Sequence, residues 1–333
     1  MQLSKNIQTD ETIKKMAQAA FPDREVKKIT ELTEGMCNAA YRVDFTDGDA
    51  SVLKIASDSK GTLMSHEVNM MEAEVNAMKR VYESGLVRVA QVQYYDTSRT
   101  LCSGDYFFME ALPGNSLSSV KASLSREVID KINFETGGLS QRLTQLKGKS
   151  FGLLADHERR HDTLFDYVYM LMENVLADAR RKQVEIGISD KEILEGLAAD
   201  ESCFEDVKVP TLVHWDMWDG NIFVEDGRVT GIIDWERAMW SDPYMDDRFR
   251  RHTRTGEFLK GYGISEFMPE EMCRIYWYDV LLYLIMMTEG KYRGYEDDGQ
   301  YHWAKEQLED TWREMNRQQA EDATDNEDER DRR

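Results

Sequence analysis

The sequence predicts an α+β fold of two lobes, in which a small antiparallel sheet with one main helix precedes a larger, mainly helical part. Three observations predict it. Residues 26–56 form three β-rich runs separated by turns, residues 65–84 have apolar residues at helical spacing, and residues 117–205 are mostly helical in pattern. Sheet and helices are therefore expected in separate parts of the chain, as in other α+β domains.

The expected domain boundaries follow from these patterns and from composition. At 333 residues, the chain is long enough for two lobes with their own hydrophobic cores. Its last residues are strongly acidic, which is typical of a disordered, solubilising segment. In order along the chain, we expect a smaller lobe at 1–110, a hinge at 111–116, a larger lobe at 117–319 and a disordered acidic tail at 320–333.

Composition limits the partners and the compartment. The formal net charge of −21 argues against nucleic acid or an anionic membrane surface as a partner. The longest apolar run, at 280–287, is too short to span a bilayer, and the polar N-terminus lacks a signal-peptide core. The four cysteines show neither metal-binding nor paired spacing. We therefore expect reduced thiols in a cytoplasmic protein. A monomer or a homodimer is expected as the oligomeric state.

The turn between the first two β-rich runs is a candidate ligand loop. It contains one glycine, Gly35, followed by Met36, Cys37 and Asn38. Glycine and short side chains let backbone N–H groups approach phosphates closely. Most glycine-containing hairpin loops bind no ligand, so this loop indicates function only together with other motifs.

A lysine lies inside the third β-rich run. Lys54 stands between two apolar residues, where an unpaired ammonium group would be costly. In the helix at 65–84, the candidates to pair with it are Glu67, Glu72 and Glu74. Its apolar spacing favours Glu74 as the partner, with Glu72 as the alternative, and the remaining glutamates are expected on a solvated face.

A second pair of β-rich runs, at 91–96 and 105–110, leads into the hinge. The second run is followed by Ala-Leu-Pro-Gly at 111–114, which ends a strand and favours a turn. Its last residues, Met109 and Glu110, and Leu112 in the turn are candidate binding residues. Without the neighbouring motifs, an ordinary surface loop would be the better interpretation.

The segment from residue 214 to 242 contains the most specific pattern in the chain. His214, Asp216 and Asn221 form an H-x-D-x-x-x-x-N motif, and two β-rich runs around an Asp-Gly turn predict a hairpin that returns Asp234 beside Asn221. Asn221 and Asp234 offer the hard oxygen ligands that Mg²⁺ prefers, while Asp216 can orient a hydroxyl group and accept its proton. His214 is expected to orient this loop by hydrogen bonding.

The helical lobe offers fewer specific residues. The run at 274–295 is too apolar for a surface helix, so we expect it to pack centrally. Asp178, Glu236, Glu289 and Arg293 are candidates for contacts with a substrate, but a network of mutually satisfied core residues is an equally good interpretation of Glu289 and Arg293. Asp246 and Asp247 are expected to brace the catalytic loop.

Taken in order, these motifs resemble the aminoglycoside phosphotransferase family of small-molecule kinases. The resemblance rests on TEGMCNAAYRV, VLKI, FFMEALPG, HWDMWDGNIFV and GIIDWE, and it covers roughly residues 26–250. It implies a protein-kinase-like fold, ATP or GTP and Mg²⁺ as cofactors, and transfer of the γ-phosphoryl group to a hydroxyl group of a small acceptor. The acceptor classes are aminoglycoside-like compounds, amino alcohols or other small molecules, and the acidic chain favours a cationic one.

The resemblance also assigns roles residue by residue. Lys54 matches the phosphate-binding lysine and Glu74 its ion-pair partner, Asp216 matches the catalytic aspartate, and Asn221 and Asp234 match the metal ligands. The backbone of the hinge would read the adenine edge of the nucleotide.

Two departures from the family concern the substrate. Trp215 stands where many relatives have glycine, and Trp235-Glu236 is bulkier and more acidic than in well-known relatives. A protein kinase is disfavoured because no long activation loop or Ala-Pro-Glu element follows Asp234. A nucleotide-binding regulator without catalysis is disfavoured because it has no evident need for Asp216.

Overall fold

A computed structural model describes residues 5–33, 38–57 and 63–331 of the chain. The candidate loop residues Gly35, Met36 and Cys37 lie outside these ranges.

The smaller lobe is built on an antiparallel sheet of five strands in the order β1–β2–β3–β5–β4. The sheet confirms the β-rich runs predicted from the sequence. Its strands are β1 Val26–Leu32, β2 Ala39–Phe45, β3 Ala50–Ile55, β4 Val92–Asp96 and β5 Tyr106–Glu110, and helices α1 Asp10–Ala20 and α2 Met70–Ser84 accompany them.

Strand alternation places Lys54 on the functional side of this sheet. Leu53 and Ile55 belong to a buried cluster with Ile13 and Met16 of α1. Because neighbouring strand residues point to opposite faces, Lys54 points away from α1. On that opposite face lies Glu74, which is buried in α2.

The larger part of the chain is mainly helical. Its helices are α3 Leu117–Val120, α4 Arg126–Leu143, α5 Leu164–Arg181, α6 Asp190–Ala199, α7 Gly256–Tyr262, α8 Pro269–Arg293 and α9 Gly299–Asp331. Most side chains of α8 from residue 274 onward are buried, which confirms the prediction that this helix packs centrally.

Two small sheets complete the larger lobe. One contains β6 Asn115–Ser116, β9 Ile222–Glu225 and β10 Arg228–Ile232, and the other contains β7 Gly152–Leu153, β8 Thr211–Val213 and β11 Met239–Ser241. The predicted hairpin is confirmed, since β9 and β10 pair antiparallel around Asp226 and Gly227. Both turn residues have positive φ, at 50° and 69°. This conformation suits an Asp-Gly turn between two strands.

The hinge is fixed against this hairpin. Strand β6 forms the end of the hinge segment and pairs with β9. Gly114 has φ +87°, and a Cβ placed on it would lie 2.1 Å from the carbonyl oxygen of Val224. Only glycine permits so close a backbone approach. The chain segment between the lobes therefore rests directly on the element that returns Asp234 to the cleft.

The structure assigns helix to the segment for which the sequence predicts a disordered acidic tail. Helix α9 begins at Gly299 and continues to Asp331. The sequence after Gly299 contains neither glycine nor proline up to that point and is rich in Gln, Glu, Arg and Ala. These residues have good helix propensity, so an acidic composition does not by itself end the helix. Across the described ranges, no helix is long and apolar enough to cross a membrane.

Two adjacent glycines of α4 provide a test of the helical packing. A Cβ on Gly137 would lie 2.1 Å from the carbonyl oxygen of Phe258 in α7, whereas a Cβ on Gly138 would meet nothing closer than 3.6 Å. Gly137→Ala is therefore expected to lower the free energy of unfolding by about 2 kcal/mol or more through overpacking.

The matched control is Gly138→Ala in the same helix. It should raise the free energy of unfolding by roughly 0.5–1 kcal/mol, because alanine loses less backbone entropy than glycine. Urea denaturation of both variants measures the difference. Equal effects of the two substitutions would contradict the close crossing of α4 and α7.

Candidate active site

Lys54 joins the two parts of the candidate site. Its Nζ lies 2.8 Å from both carboxylate oxygens of Glu74 and 2.7 Å from Oδ1 of Asp234. The Glu74 side chain is fully buried. Burial acts against the charge on Lys54, but Asp234 and Glu74 outweigh it and hold the pKa of this lysine above its ordinary value. The predicted pair of Lys54 and Glu74 is confirmed, whereas the alternative partner, Glu72, contacts His157.

His214 ties the catalytic loop to the strand before Asp234. Its Nε2 donates to the carbonyl oxygen of Ile233 at 2.9 Å, and the Asp216 N–H donates to its Nδ1 at 3.2 Å. These two contacts require the neutral tautomer with the proton on Nε2. Burial lowers the pKa of His214 to about 4, so the neutral form persists near pH 7. The prediction that His214 orients this loop by hydrogen bonding is confirmed.

Asn221 holds Asp216 in place. Its Nδ2 donates to the backbone carbonyl oxygen of Asp216 at 2.8 Å and to Oδ2 at 3.1 Å. The Ile233 N–H donates to the backbone oxygen of Asn221, so the asparagine lies beside the segment that contains Asp234, as the predicted hairpin requires. Because its amide nitrogen is committed to Asp216, the amide oxygen of Asn221 is the atom left for a cation.

Burial and neighbouring charges set the pKa of Asp216. Burial raises it well above its ordinary value, and Asp234 adds to this effect, while Arg237 acts in the opposite direction. A carboxylate with a raised pKa is a stronger base than an ordinary aspartate, and such groups concentrate at catalytic sites.

Glu236 belongs to the same cluster of carboxylates. Oxygen atoms of Glu74, Asp234 and Glu236 lie within 4.8 Å of one another. Glu236 also accepts a hydrogen bond from Nδ2 of Asn38, at 3.1 Å, so the end of the candidate ligand loop meets the segment after Asp234. Carboxylate oxygens together with the amide oxygen of Asn221 form a donor set of the kind that Mg²⁺ prefers. The residues present therefore fit a hard divalent cation.

Two of the candidate substrate residues belong to a buried network of charges. Glu289 accepts from Nη2 of Arg237 at 3.0 Å and from Nε of Arg293 at 2.6 Å. Arg293 also donates to Glu67 at 2.5 Å. Glu289 and Arg293 therefore lie together. Their network connects the segment before α2, the end of α8 and the residue after Glu236. No motif in the sequence pointed to Arg237, but it lies in a mostly apolar segment directly after Asp234 and Glu236, which is a usable indication.

Asp178 is engaged elsewhere. Its carboxylate accepts from the backbone N–H and hydroxyl group of Ser65, from the hydroxyl group of Tyr292 and from Arg181. The side chain is fully buried. These contacts attach the segment before α2 to the helical lobe.

The hinge candidates lie at the end of β5 and directly after it. Met109 and Leu112 belong to one buried cluster together with residues of α2 and the hairpin. The backbone N–H of Glu110 donates to the carbonyl oxygen of Gln91 at 2.9 Å, and its carboxylate pairs with Arg88.

Trp215 has a backbone conformation that ordinarily favours glycine. Its φ is +71°, in the left-handed region that a bulky residue rarely adopts. Its N–H donates to Oδ2 of Asp246 at 3.2 Å, and its ring packs edge-on against His66 with 5.6 Å between ring centroids. These contacts hold the strained residue in place. The prediction that Asp246 braces the catalytic loop is therefore confirmed.

Comparison with known proteins agrees with this geometry. The phosphotransferase enzyme family matches residues 28–246. A structure solved for a candidate fructosamine-3-kinase from Haemophilus somnus 129PT is 15% identical, has a TM-score of 0.66 and covers 90% of this chain and 97% of its own.

Two further solved structures are similar over a comparable length. The aminoglycoside phosphotransferase APH(4)-Ia is 18% identical with a TM-score of 0.64, and 92% of this chain and 99% of that chain are covered. The streptomycin-ATP complex of APH(2")-IIa is 14% identical with a TM-score of 0.59, covering 91% and 96%. At these identities the likeness concerns the fold, and it confirms the predicted protein-kinase-like architecture. No curated protein matches the chain.

Because Trp215 has a left-handed backbone, glycine and alanine substitutions at this position are expected to reverse their ordinary order of stability. Both Trp215→Gly and Trp215→Ala lose the buried indole packing, but alanine must also adopt positive φ. We expect the glycine variant to be more stable by about 1 kcal/mol, whereas glycine is ordinarily the less stable of the two. Thermal and urea unfolding of both variants measure this difference.

Trp218 serves as the control in the same loop. It has φ −84°, so Trp218→Gly should be less stable than Trp218→Ala. The same order at both positions would argue against left-handed strain at Trp215.

Proposed function

The chain belongs to the phosphotransferase enzyme family, and on that premise we propose that it transfers the γ-phosphoryl group of ATP, or GTP, to a hydroxyl group of a small molecule. The observation that supports this most strongly is the position of Lys54, whose Nζ contacts both Glu74 of α2 and Asp234 beyond the hairpin. A lysine placed between a helix glutamate and a metal-binding aspartate is the arrangement that positions nucleotide phosphates in kinases.

We propose separate roles for the residues around the cleft. Lys54 binds phosphate oxygens, and Glu74 holds the lysine in place. Asn221 and Asp234 hold Mg²⁺, with Glu236 close enough to take part. When bound, the metal ion neutralises charge on the phosphates.

Asp216 is proposed as the group that receives the proton. One of its carboxylate oxygens, Oδ2, accepts from Asn221. The other oxygen can accept a hydrogen bond from the acceptor hydroxyl group and take its proton as the phosphoryl group is transferred. Its raised pKa favours this step, since a stronger base takes up a proton more readily.

Solved relatives of this fold support a nucleotide and a small acceptor in one cleft. One structure of APH(4)-Ia is a ternary complex with AMP-PNP and hygromycin B, and the APH(2")-IIa structure contains streptomycin and ATP. We propose a neutral-to-cationic acceptor of this general kind for the present chain, an amine-bearing sugar or alcohol. The net charge of −21 would attract such a molecule and raise its encounter rate.

Residues close to Asp216 are the best candidates for acceptor contacts. Glu236 lies in the carboxylate cluster, and Trp218, two residues after Asp216, has 47% of its surface exposed. An exposed indole ring can pack against a sugar ring and attract a cationic group. In contrast, Glu289, Arg293 and Asp178 already have charged or polar partners, and we propose that they support the walls of the cleft.

A screen for the acceptor tests the proposed substrate class. The purified chain is incubated with Mg²⁺-ATP and pools of antibiotics and metabolites, and mass spectrometry detects the gain of a phosphate group. We expect a cationic compound with a hydroxyl group to be phosphorylated. Its turnover at low substrate concentration should fall as salt is added. Preference for an acidic metabolite would exclude the proposed class, and phosphate transfer only to peptides would instead identify a protein kinase.

Two isosteric substitutions separate the proposed roles of the aspartates. Asp216→Asn removes the proton acceptor, so kcat should fall by about 100-fold or more while the affinity for Mg²⁺-ATP stays nearly unchanged. Asp234→Asn removes a metal ligand, so both Mg²⁺-ATP affinity and turnover should fall. Calorimetry measures nucleotide affinity, and phosphate transfer measures turnover.

Asp226→Asn is the matched control, because it removes the same charge at the exposed tip of the hairpin. Asparagine tolerates the positive φ of this position, so this variant should behave like the parent. The assignment of roles is wrong if Asp216→Asn retains near-normal turnover, or if Asp234→Asn binds Mg²⁺-ATP as the parent does.

A further inference from the structure

Two cysteines that are 70 positions apart in the sequence meet in the helical lobe. Cys203 lies in a short 3-10 helix after α6, and Cys273 lies in the second turn of α8. Together with Asp200 at the end of α6, they place two sulfur atoms and a carboxylate oxygen within 4.8 Å of one another. The spacing of the cysteines in the sequence does not indicate a metal site, because ligands from separate elements leave no local pattern.

We propose that Asp200, Cys203 and Cys273 bind a thiophilic divalent cation such as Zn²⁺. Zinc accepts thiolate and carboxylate ligands in a tetrahedral arrangement with bonds of roughly 2.0–2.3 Å, which puts neighbouring ligand atoms roughly 3.3–3.8 Å apart. The three ligand atoms lie within 4.8 Å of one another, so they need to approach by about 1–1.5 Å at most to reach that geometry. All three residues are partly exposed, which provides an entry path and leaves room for a water molecule as fourth ligand.

Two contacts hold the ligand residues in position. Nε1 of Trp277 donates to Oδ2 of Asp200 at 2.8 Å, so the indole orients the carboxylate. Arg274 donates to the backbone oxygen of Cys203 at 2.6 Å and to Asp242 at 2.8 Å. Such outer contacts orient the ligands of a metal ion and raise its affinity.

The chemistry of the three side chains suits a cation. Two thiols and a carboxylate can each become anionic, and a bound cation balances their charges. As two sulfur–metal bonds form, each thiol releases one proton to solvent. Disulfide formation by exchange with an oxidised thiol compound, in contrast, needs one of the two cysteines as a thiolate nucleophile. Asp200 would take no part in that reaction.

The site can be tested on the full chain after reduction and removal of metals with a chelator. Cd²⁺ is the first probe, because cadmium–thiolate bonds absorb in the ultraviolet and carboxylate ligands of the nucleotide cleft do not produce this absorption. We expect a single Cd²⁺ per chain with thiolate absorption, and competition by Zn²⁺. Native mass spectrometry gives the stoichiometry, and thermal unfolding should shift upward with added Zn²⁺.

Matched variants assign the ligands. Cys203→Ser and Cys273→Ser should each lower Cd²⁺ affinity by about 100-fold or more, and Asp200→Asn by about tenfold or more. Asparagine can still accept from Trp277, so the last variant preserves the local packing. Cys102→Ser should bind like the parent, because Cys102 lies in the smaller lobe, where its thiol donates to the carbonyl oxygen of Gly104.

Unfolding without metal shows whether each variant retains the parent fold, and Asp200→Asn tests the site even if a serine variant does not fold. Retained thiolate absorption in Cys203→Ser or Cys273→Ser would overturn the proposal, as would unchanged affinity in Asp200→Asn. A parent chain that binds no Cd²⁺ but forms a Cys203–Cys273 disulfide with oxidised glutathione would also overturn it and identify a redox site.

Discussion

The ammonium group of Lys54, held between Glu74 and Asp234, is the interaction on which the candidate site depends. It joins a strand of the small sheet, the helix α2 and the segment after the β9–β10 hairpin. Burying charges is costly, and a buried ion pair contributes little net stability, whereas removing one partner leaves an uncompensated charge. The triad is therefore better explained as a device that positions its elements than as a source of stability for the fold, because it sets α2 and the hairpin at a fixed distance from the sheet.

The same cluster has an excess of negative charge. Glu74, Asp234 and Glu236 face one ammonium group, and burial raises the pKa of both Glu74 and Glu236. A nucleoside triphosphate without a metal ion would be repelled by these carboxylates. A divalent cation removes that repulsion, so metal and nucleotide are expected to bind as one unit. This charge balance also explains why Arg237 lies behind the site, paired with Glu289, where it limits the rise in the pKa of Asp216.

Local patterns in the sequence predicted the strands, the hairpin and the pairing of Lys54 with Glu74, because each depends on periodicity or turn chemistry within short segments. For Glu289 and Arg293, one turn apart in α8, they left a network of core residues open. They did not identify Glu67 and Arg237 as members, since these two residues come from other segments of the chain. The meeting of Cys203 and Cys273 was missed for the same reason. The acidic composition after residue 320 predicts a tail without structure, whereas helix propensity favours the continuation of α9.

Two left-handed residues show how the catalytic loop obtains its geometry. Trp215 has φ +71° and immediately precedes Asp216, while Asp234 itself has φ +65°. Residues in this region cost about 1–3 kcal/mol each and persist where their surroundings fix them. His214 contacts both places, since it accepts from the N–H of Asp216 and donates to the oxygen of Ile233, next to Asp234. One neutral imidazole thus fixes the relative position of the proposed base and the proposed metal ligand. Both carboxylates are consequently oriented before any ligand binds, which is the condition for efficient positioning of a reacting hydroxyl group.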